Sequence, residues 1–104
     1  MRLAILTLFL LFASLSGVAA QQEGDPQQGA AYAERNCANC HAIANEKASP
    51  VPTAPRFKHV ANTPGMTAMA LMVWLQTSHP TMPNIIVKPN DMKNVVAYIL
   101  SLKN

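Results

Sequence analysis

The run CANCH at residues 37–41 constrains this chain of 104 residues more than any other feature. Two thiols separated by two residues can each add to one vinyl group of the same porphyrin, which gives two thioether bonds. A histidine directly after the second thiol is then held beneath the iron as its proximal ligand. The run therefore predicts one covalent haem c, attached at Cys37 and Cys40, with His41 bound to the iron.

Other uses of two nearby cysteines are weighed against the haem interpretation. Zinc would need two further ligands at suitable spacing, and the chain contains only 2 cysteines. A thioredoxin-like redox pair would need alternating strands and helices, which the sequence does not predict. A protein in which Cys37 and Cys40 exchange disulfides is the non-haem alternative, and it would be colourless when produced with haem-maturation machinery.

Residues 1–20 have the pattern of a secretory signal peptide. Arg2 supplies a positive start, residues 3–15 are nearly all apolar, and small residues precede the predicted cleavage after Ala20. Residues 21–104 are then a single haem domain. Because haem attachment is expected outside the cytoplasm, the protein is predicted to be periplasmic. The apolar stretch is shorter than the about 20 residues of a membrane span, so no stable membrane insertion is expected after cleavage. A retained anchor is the alternative.

Size and charge limit the remaining classes of function. Residues 21–104 suffice for one small domain but barely for a self-sufficient apolar core, so a large apolar cofactor would supplement the core. The formal net charge is +3, and loss of Arg2 with the signal lowers it by one unit. This mild charge, carried by scattered lysines and arginines, argues against nucleic-acid binding. Some of these cations around an exposed haem edge would instead steer an acidic protein partner.

The start of the domain is predicted to be a helix followed by a stiff loop. Asp25-Pro26 pairs a capping carboxylate with proline at the first helical position, which predicts a helix over residues 26–36. That helix would end directly before Cys37. Three prolines between residues 45 and 56 prevent regular structure and hold the chain extended.

Two further helices are predicted in the second half of the chain. Thr63-Pro64 repeats the cap-and-proline signal and predicts a helix over residues 64–77, which is apolar on every side and expected to be buried. Asn90 or Asp91 would cap a last helix whose apolar side chains share one face. Those side chains are Met92, Val95, Val96, Ile99 and Leu102. No strand is predicted, so the fold class is all-α.

The iron needs a sixth ligand. The sulfur and imidazole candidates are Met66, Met69, Met72, Met82, Met92, His59 and His79. All of these methionines except Met82 fall in helical apolar patterns that are typical of core packing. Pro80 and Pro83 brace the loop of Met82, so the backbone can aim its sulfur at the iron, and we predict Met82 as the distal ligand. His79 is the main rival, unless it is a surface residue that ends a helix, and His59 is expected at the surface.

In their order along the chain, these features resemble the class I cytochrome c family. A capped first helix with Gly29 is followed by the CANCH run, a proline-containing loop, Met82-Pro83 and a closing helix that ends VVAYILSL. The resemblance covers essentially all of residues 21–104. It implies a small cytochrome c fold, with three or more helices around one covalently bound haem and with His41 and Met82 on the iron. It also implies an electron carrier, not an enzyme, that serves larger redox proteins. The sequence does not determine the oligomeric state, and a monomer is favoured.

The resemblance assigns roles to individual residues. Gly29 would lie where the first and last helices cross, and its missing side chain would let Tyr98 pack close. The carbonyl of Pro55 would accept a hydrogen bond from the proximal imidazole. The loop before Pro55 is longer than in the shortest bacterial members of the family, so Pro50 and Pro52 are alternatives for this role.

Two hypotheses concern the surroundings of the cofactor, and one alternative concerns its sixth position. Asn84 would donate a hydrogen bond to the sulfur of Met82, and Trp74 would donate its indole hydrogen to a haem propionate, unless Trp74 is plain core. An open or weakly held sixth position would instead make the protein a haem-based sensor of small ligands or a peroxidase. The chain supplies no evident distal acid and base for peroxide cleavage.

Overall fold

A computed structural model describes residues 24–77 and 79–104, so the predicted signal peptide lies outside the described residues. The described residues form four helices: α1 spans Pro26–Asn36, α2 spans Phe57–Ala61, α3 spans Ala68–Gln76 and α4 spans Pro89–Ser101. Within those two ranges no strand occurs, and the predicted all-α class is confirmed. In the same part of the chain, no helix has both the length and the apolar character needed to cross a bilayer.

Helix α1 begins and ends where the sequence predicts. The Asp25 side chain accepts hydrogen bonds from the backbone N–H groups of Gln27, at 2.8 Å, and Gln28, at 3.4 Å. These two donors have no partner within the helix, so the carboxylate satisfies groups that would otherwise stay unpaired. At the other end, the Cys37 N–H donates to the Ala33 carbonyl at 2.8 Å. The helix therefore delivers Cys37 directly after its last turn.

Helices α1 and α4 cross at Gly29. A Cβ atom at this position would lie 1.9 Å from the Asn94 carbonyl oxygen and 2.8 Å from the Cβ of Tyr98. The Asn94 side chain reinforces the crossing, since its Oδ1 accepts from the Asp25 N–H at 2.8 Å and its Nδ2 donates to Gln28 Oε1 at 3.3 Å. The position that the resemblance assigned to Gly29 is the one that the structure shows. No larger residue fits there without separating the two helices.

The core is organised around α4, which the other three helices all contact. Its inward face is buried at Met92, Val95, Val96, Ala97 and Ile99, as the apolar periodicity predicts, while Leu102 caps the helix half-buried. The prediction of the cap was wrong. Lys88 occupies the N-cap position without a side-chain bond, and neither Asn90 nor Asp91 caps the helix. Pro89 at the first position starts the helix instead, because its φ is already close to the helical value.

The predicted helix over residues 64–77 is wrong at its start. Pro64 and Gly65 form a turn in which Gly65 has φ +75° and the Met66 N–H donates to the Thr63 carbonyl at 3.0 Å. Proline followed by a glycine with positive φ is the pattern of a type II turn. The helix begins only after Thr67, whose hydroxyl accepts from the Ala70 N–H at 3.1 Å.

Helix α3 is also less buried than its apolar sequence predicts. Only Leu71 is fully buried, and Met69, Val73 and Trp74 are exposed. The sequence analysis missed α2 altogether, because its 5 residues are too short to show a helical period. Within α2, Phe57 and Ala61 are buried and join the core under α4.

Candidate haem-binding site

An apolar cavity of about 600 Å³ opens between the core and the two irregular segments of the described chain. Volumes of this size are typical of sites that enclose a small organic molecule or cofactor. Its lining includes Cys37, Cys40 and His41 from one irregular segment and Met82 from the other. Residues that lie far apart in sequence therefore face one common cavity.

The cysteines and the histidine reach the cavity because the chain makes one tight turn after α1. The N–H groups of Cys40 and His41 donate to the Cys37 carbonyl at 3.1 and 2.9 Å. This helical turn gathers the two thiols and the imidazole into one short stretch. All three side chains are partly buried against the cavity.

The His41 ring is held by a backbone carbonyl. Its Nδ1 lies 2.7 Å from the carbonyl oxygen of Pro55, and the Phe57 ring packs beside it with the ring centroids 5.4 Å apart. A carbonyl can only accept, so Nδ1 carries the proton in this contact and Nε2 has the free lone pair. Pro55, and neither Pro50 nor Pro52, therefore makes the contact that the resemblance assigns to a loop proline. Iron-ligating histidines are commonly oriented by such a bond on the other ring nitrogen.

Three hydrogen bonds fix the loop that carries Pro55. The Ala42 N–H donates to the Ser49 hydroxyl at 2.9 Å, and the Phe57 N–H donates to the Ala42 carbonyl at 2.9 Å. The Val51 N–H donates to the Cys40 carbonyl at 3.2 Å. The loop is irregular but tied to Cys40, in the CANCH run, and to Ala42, directly after it. This explains how Pro55, which is distant in sequence, comes to lie against His41.

Met82 approaches the cavity on a tight turn. Its N–H donates to the His79 carbonyl at 3.4 Å, and Thr81 within the turn has φ +71°. A β-branched residue rarely adopts a positive φ, because its side chain crowds the backbone. Pro80 and Pro83 flank this conformation and restrict the chain around it. The backbone of the turn, and no helical register, therefore sets the direction of the Met82 side chain.

The other candidate ligands fall into two groups. Met66 and His79 line the cavity together with Met82. Met69 is exposed, Met72 packs against the core, Met92 is buried in α4, and His59 is exposed as expected. Met66 was assigned to the core from sequence, and the turn at residues 63–66 is what brings it to the cavity instead.

Trp74 and Asn84 both line the cavity. Trp74 is 52% exposed, so the interpretation of this residue as plain core is wrong. Its ring meets the His79 ring edge to face with centroids 4.5 Å apart, while His79 Nδ1 lies 2.7 Å from the Thr77 carbonyl oxygen. Phe57 is the neighbour of His41 that the sequence analysis missed. Its position two residues after Pro55 was the available signal.

Cys37 does not have the surroundings of a reactive redox thiol. Burial raises the pKa of Cys37 to about 11, and the nearby Cys40 adds to the shift. Thiols that attack disulfides have a lowered pKa, because the thiolate is the nucleophile. Moreover, among the described residues no group of three or more His, Cys, Asp and Glu side chains converges on a metal site. The thiol-exchange and zinc alternatives are both disfavoured.

The donor set fits haem c. Two thiols spaced for thioether bonds, an imidazole with a free nitrogen and a thioether sulfur share one apolar cavity of suitable size. The sequence matches the family described as Cytochrome c over residues 26–103. The chain therefore belongs to the cytochrome c family, whose members bind haem c with its iron, and it has the role of a haem electron carrier.

One curated relative resembles the chain along its full length. Cytochrome c-552 of Bradyrhizobium diazoefficiens is 32% identical over 103 residues, which cover 99% of each protein. No solved structure matches the chain significantly. The similarity therefore extends from the predicted signal peptide to the last helix of the domain.

Proposed function

We propose that this protein is a periplasmic carrier that passes single electrons between larger redox proteins, with His41 and Met82 as the two axial ligands of its haem iron. The observation that supports this assignment most strongly is that His41 and Met82 line the same cavity as both cysteines. If the iron keeps both ligands in its two oxidation states, little has to move when an electron arrives. The proposal includes no catalytic residue, and the protein acts as a monomeric carrier.

The chain's own residues hold the cofactor and adjust its electronic surroundings. The haem supplies a reversible one-electron couple between ferrous and ferric iron. Cys37 and Cys40 make the attachment permanent, so a small protein cannot lose its cofactor. His41 presents Nε2, in the orientation that Pro55 fixes. Met82 contributes a neutral thioether, which favours the ferrous state and so raises the reduction potential.

Two features of the cavity act on the potential in opposite directions. Its lining is mostly apolar, which disfavours the additional positive charge of ferric iron and raises the potential. The bond from His41 Nδ1 to Pro55 makes the imidazole more basic, which lowers the potential modestly. Asn84 and Trp74 are within the lining, consistent with the proposed donation to the Met82 sulfur and to a haem propionate.

The proposed location and partners follow from the predicted signal at residues 1–20 and from the chemistry of attachment. Covalent addition requires two free thiols, and export with dedicated maturation keeps them available for haem. The carrier would serve a donor and an acceptor larger than itself, with no nucleic acid and no stable membrane insertion.

The decisive experiment is the visible spectrum of the purified native protein, oxidised and reduced, together with denaturing extraction of a separate sample. We expect haem to stay with the chain and the ferric protein to show the weak far-red band of a methionine sulfur on iron. Met82→Ala should abolish this band and lower the potential by on the order of 100 mV, since axial ligands set haem potentials over about 0.8 V. Met69→Ala, at an exposed methionine away from the cavity, is the matched control and should change neither.

Other spectra would contradict parts of the proposal. Covalent haem without the far-red band would indicate His79 ligation or an open sixth position, the arrangement of a sensor of small ligands or a peroxidase. Absence of haem from correctly matured protein would contradict the electron-carrier function.

A further inference from the structure

Charge is distributed unevenly along the chain. Residues 59–87 contain no Asp, Glu, Lys or Arg, although the whole chain has 8 Lys and Arg and 5 Asp and Glu. This uncharged segment includes α3 and the turn that carries Met82. The part of the molecule that lines one wall of the haem cavity is therefore free of formal charge at neutral pH, apart from any protonated histidine.

The same segment exposes apolar side chains that the cofactor does not cover. Met69 is 70% exposed and Val73 is 52% exposed, and neither lines the cavity. Because they are four residues apart on α3, they lie on one face of the helix, which we call the α3 face. Of the large hydrophobic side chains exposed in the described residues, all except Val51 belong to the uncharged segment.

Trp74 connects the α3 face to the cavity. It directly follows Val73, is itself half exposed, and lines the cavity beside His79. A partner seated on the α3 face would therefore contact the helix that forms one wall of the haem cavity. Electron transfer slows steeply with distance, so contact with this wall would suit a carrier.

We propose that the α3 face is a docking surface for an uncharged, apolar surface of a redox partner protein. This inference rests on the proposed function, because it names the kind of partner that the electron carrier meets. A face without charge offers no complement to an acidic patch, and burying a partner's carboxylates against it would leave them unpaired. The fitting partner surface is apolar.

The small size of the α3 face indicates a brief encounter with the partner and not a stable complex. Two or three exposed side chains fall well short of the about 1,000 Å² that a stable interface buries, and redox encounters are among the smallest interfaces known. Such a small contact binds weakly. Weak binding means fast dissociation, because affinity differences between related complexes are mostly differences in dissociation rate. A carrier that must visit two partners in turn benefits from fast release.

Electron self-exchange of the haem-loaded protein tests the docking surface with a defined probe. The probe is an oxidised copy of the same chain, whose own α3 face is an uncharged, apolar surface of a redox protein. One electron passes from a reduced copy to an oxidised copy, so nothing else is consumed, and NMR line broadening measures the rate. We expect Met69→Lys and Val73→Lys to slow self-exchange at least tenfold at low salt, because like charges would face each other across the contact. High salt should restore much of the rate.

The matched control is Gln27→Lys, which adds the same charge at an exposed position on α1. We expect it to change the rate less than twofold. Equal slowing by Gln27→Lys, or unchanged rates in both α3 variants, would overturn the docking surface. The visible spectrum and the reversible one-electron wave at an electrode report on the carrier function separately. Normal spectra and waves with unchanged self-exchange would reject the α3 face alone, whereas absent haem would reject the proposed function itself.

Discussion

The α1–α4 crossing and the α3 region differ in how tightly they are built. At the crossing, backbone atoms of Asn94 lie where any side chain of Gly29 would have to be, and Val95 and Val96 are almost completely buried. The α3 region has one fully buried residue, exposed apolar side chains and a threonine with positive φ. The covalent end of the cofactor is thus anchored beside the rigid region, and Met82 comes from the looser one.

This difference suits the two kinds of bond. Thioether bonds at Cys37 and Cys40 are permanent, so the segment that carries them needs only to be placed correctly once. The proposed bond from Met82 to iron would be weak by comparison, and its geometry would depend on how well a turn is held. We therefore expect substitutions at the crossing to change global stability strongly and substitutions in the α3 region to change it little.

Gly29→Ala should have the largest effect. The new Cβ would meet the Asn94 carbonyl at 1.9 Å, so α1 and α4 would have to separate, at a cost of about 3 kcal/mol or more in the free energy of unfolding. Denaturant unfolding of the haem-loaded protein measures this cost. Glu34→Ala, at an exposed position of the same helix, should stay within about 0.5 kcal/mol. A loss below about 1 kcal/mol for Gly29→Ala would show that the crossing is less rigid than described.

Tyr98→Phe should have an intermediate effect. The Tyr98 hydroxyl donates to the Ile43 carbonyl at 2.6 Å and so joins α4 to the loop after His41. Its removal should lower the free energy of unfolding by about 1 kcal/mol. Tyr32→Phe is the control, because Tyr32 lines the cavity and its hydroxyl makes no hydrogen bond to another described residue. An equal loss in both variants would argue against a specific role for the Ile43 contact.

The pH dependence of the free energy of unfolding tests the role of Tyr98 a second time. Burial raises the pKa of Tyr98, and Glu46 adds to the shift. The folded state therefore holds the phenol proton more tightly than the unfolded state. The contribution of the protonated Tyr98 phenol to stability is complete below its pKa in the unfolded state, about 10. It is lost as the pH rises through the pKa of Tyr98 in the folded state. Unfolding measured from pH 8 upward should show a smaller alkaline loss in Tyr98→Phe than in the wild type.

Thr81→Gly should have the smallest effect and the opposite sign. Glycine adopts a positive φ without crowding, so the substitution removes strain but adds freedom to the unfolded chain. We expect a net gain of about 0.5 kcal/mol in thermal or denaturant unfolding. Thr53→Gly, in a turn where φ is not positive, should instead lose stability. A loss in Thr81→Gly as large as that in Thr53→Gly would mean that the Met82 turn is unstrained.

Local signals in the sequence predicted the rigid region better than the loose one. Asp25-Pro26 fixes the start of α1 through bonds within three residues, and the period of apolar residues identifies the buried face of α4. Thr63-Pro64 predicted a helix start that is wrong, because the same two residues also begin a turn. The following Gly65 was the signal for that turn. Local rules cannot choose between the two outcomes when both fit.

In the site, the chemistry was predictable and the surroundings were not. The CANCH run and the proline-flanked Met82 identify four donors from sequence, and the structure brings all of them to one cavity. Three features of the site depend on how loops fold against the core: Met66 lines the cavity, Trp74 is exposed, and Phe57 packs on His41. Such long-range placements have no signature within a short window of residues.

The α1–α4 crossing also determines the order in which this molecule can be completed. It joins the first helix to the last, so residues 37–88, with both cysteines and every candidate ligand except Met92, form one long loop between the two helices that this contact brings together. A chain that emerges N-terminus first has Cys37 and Cys40 available well before α4 exists to pack on Gly29. Closing so long a loop is entropically costly and slow. The interval before closure is a natural time window for the attachment machinery to reach both thiols while the chain is still open.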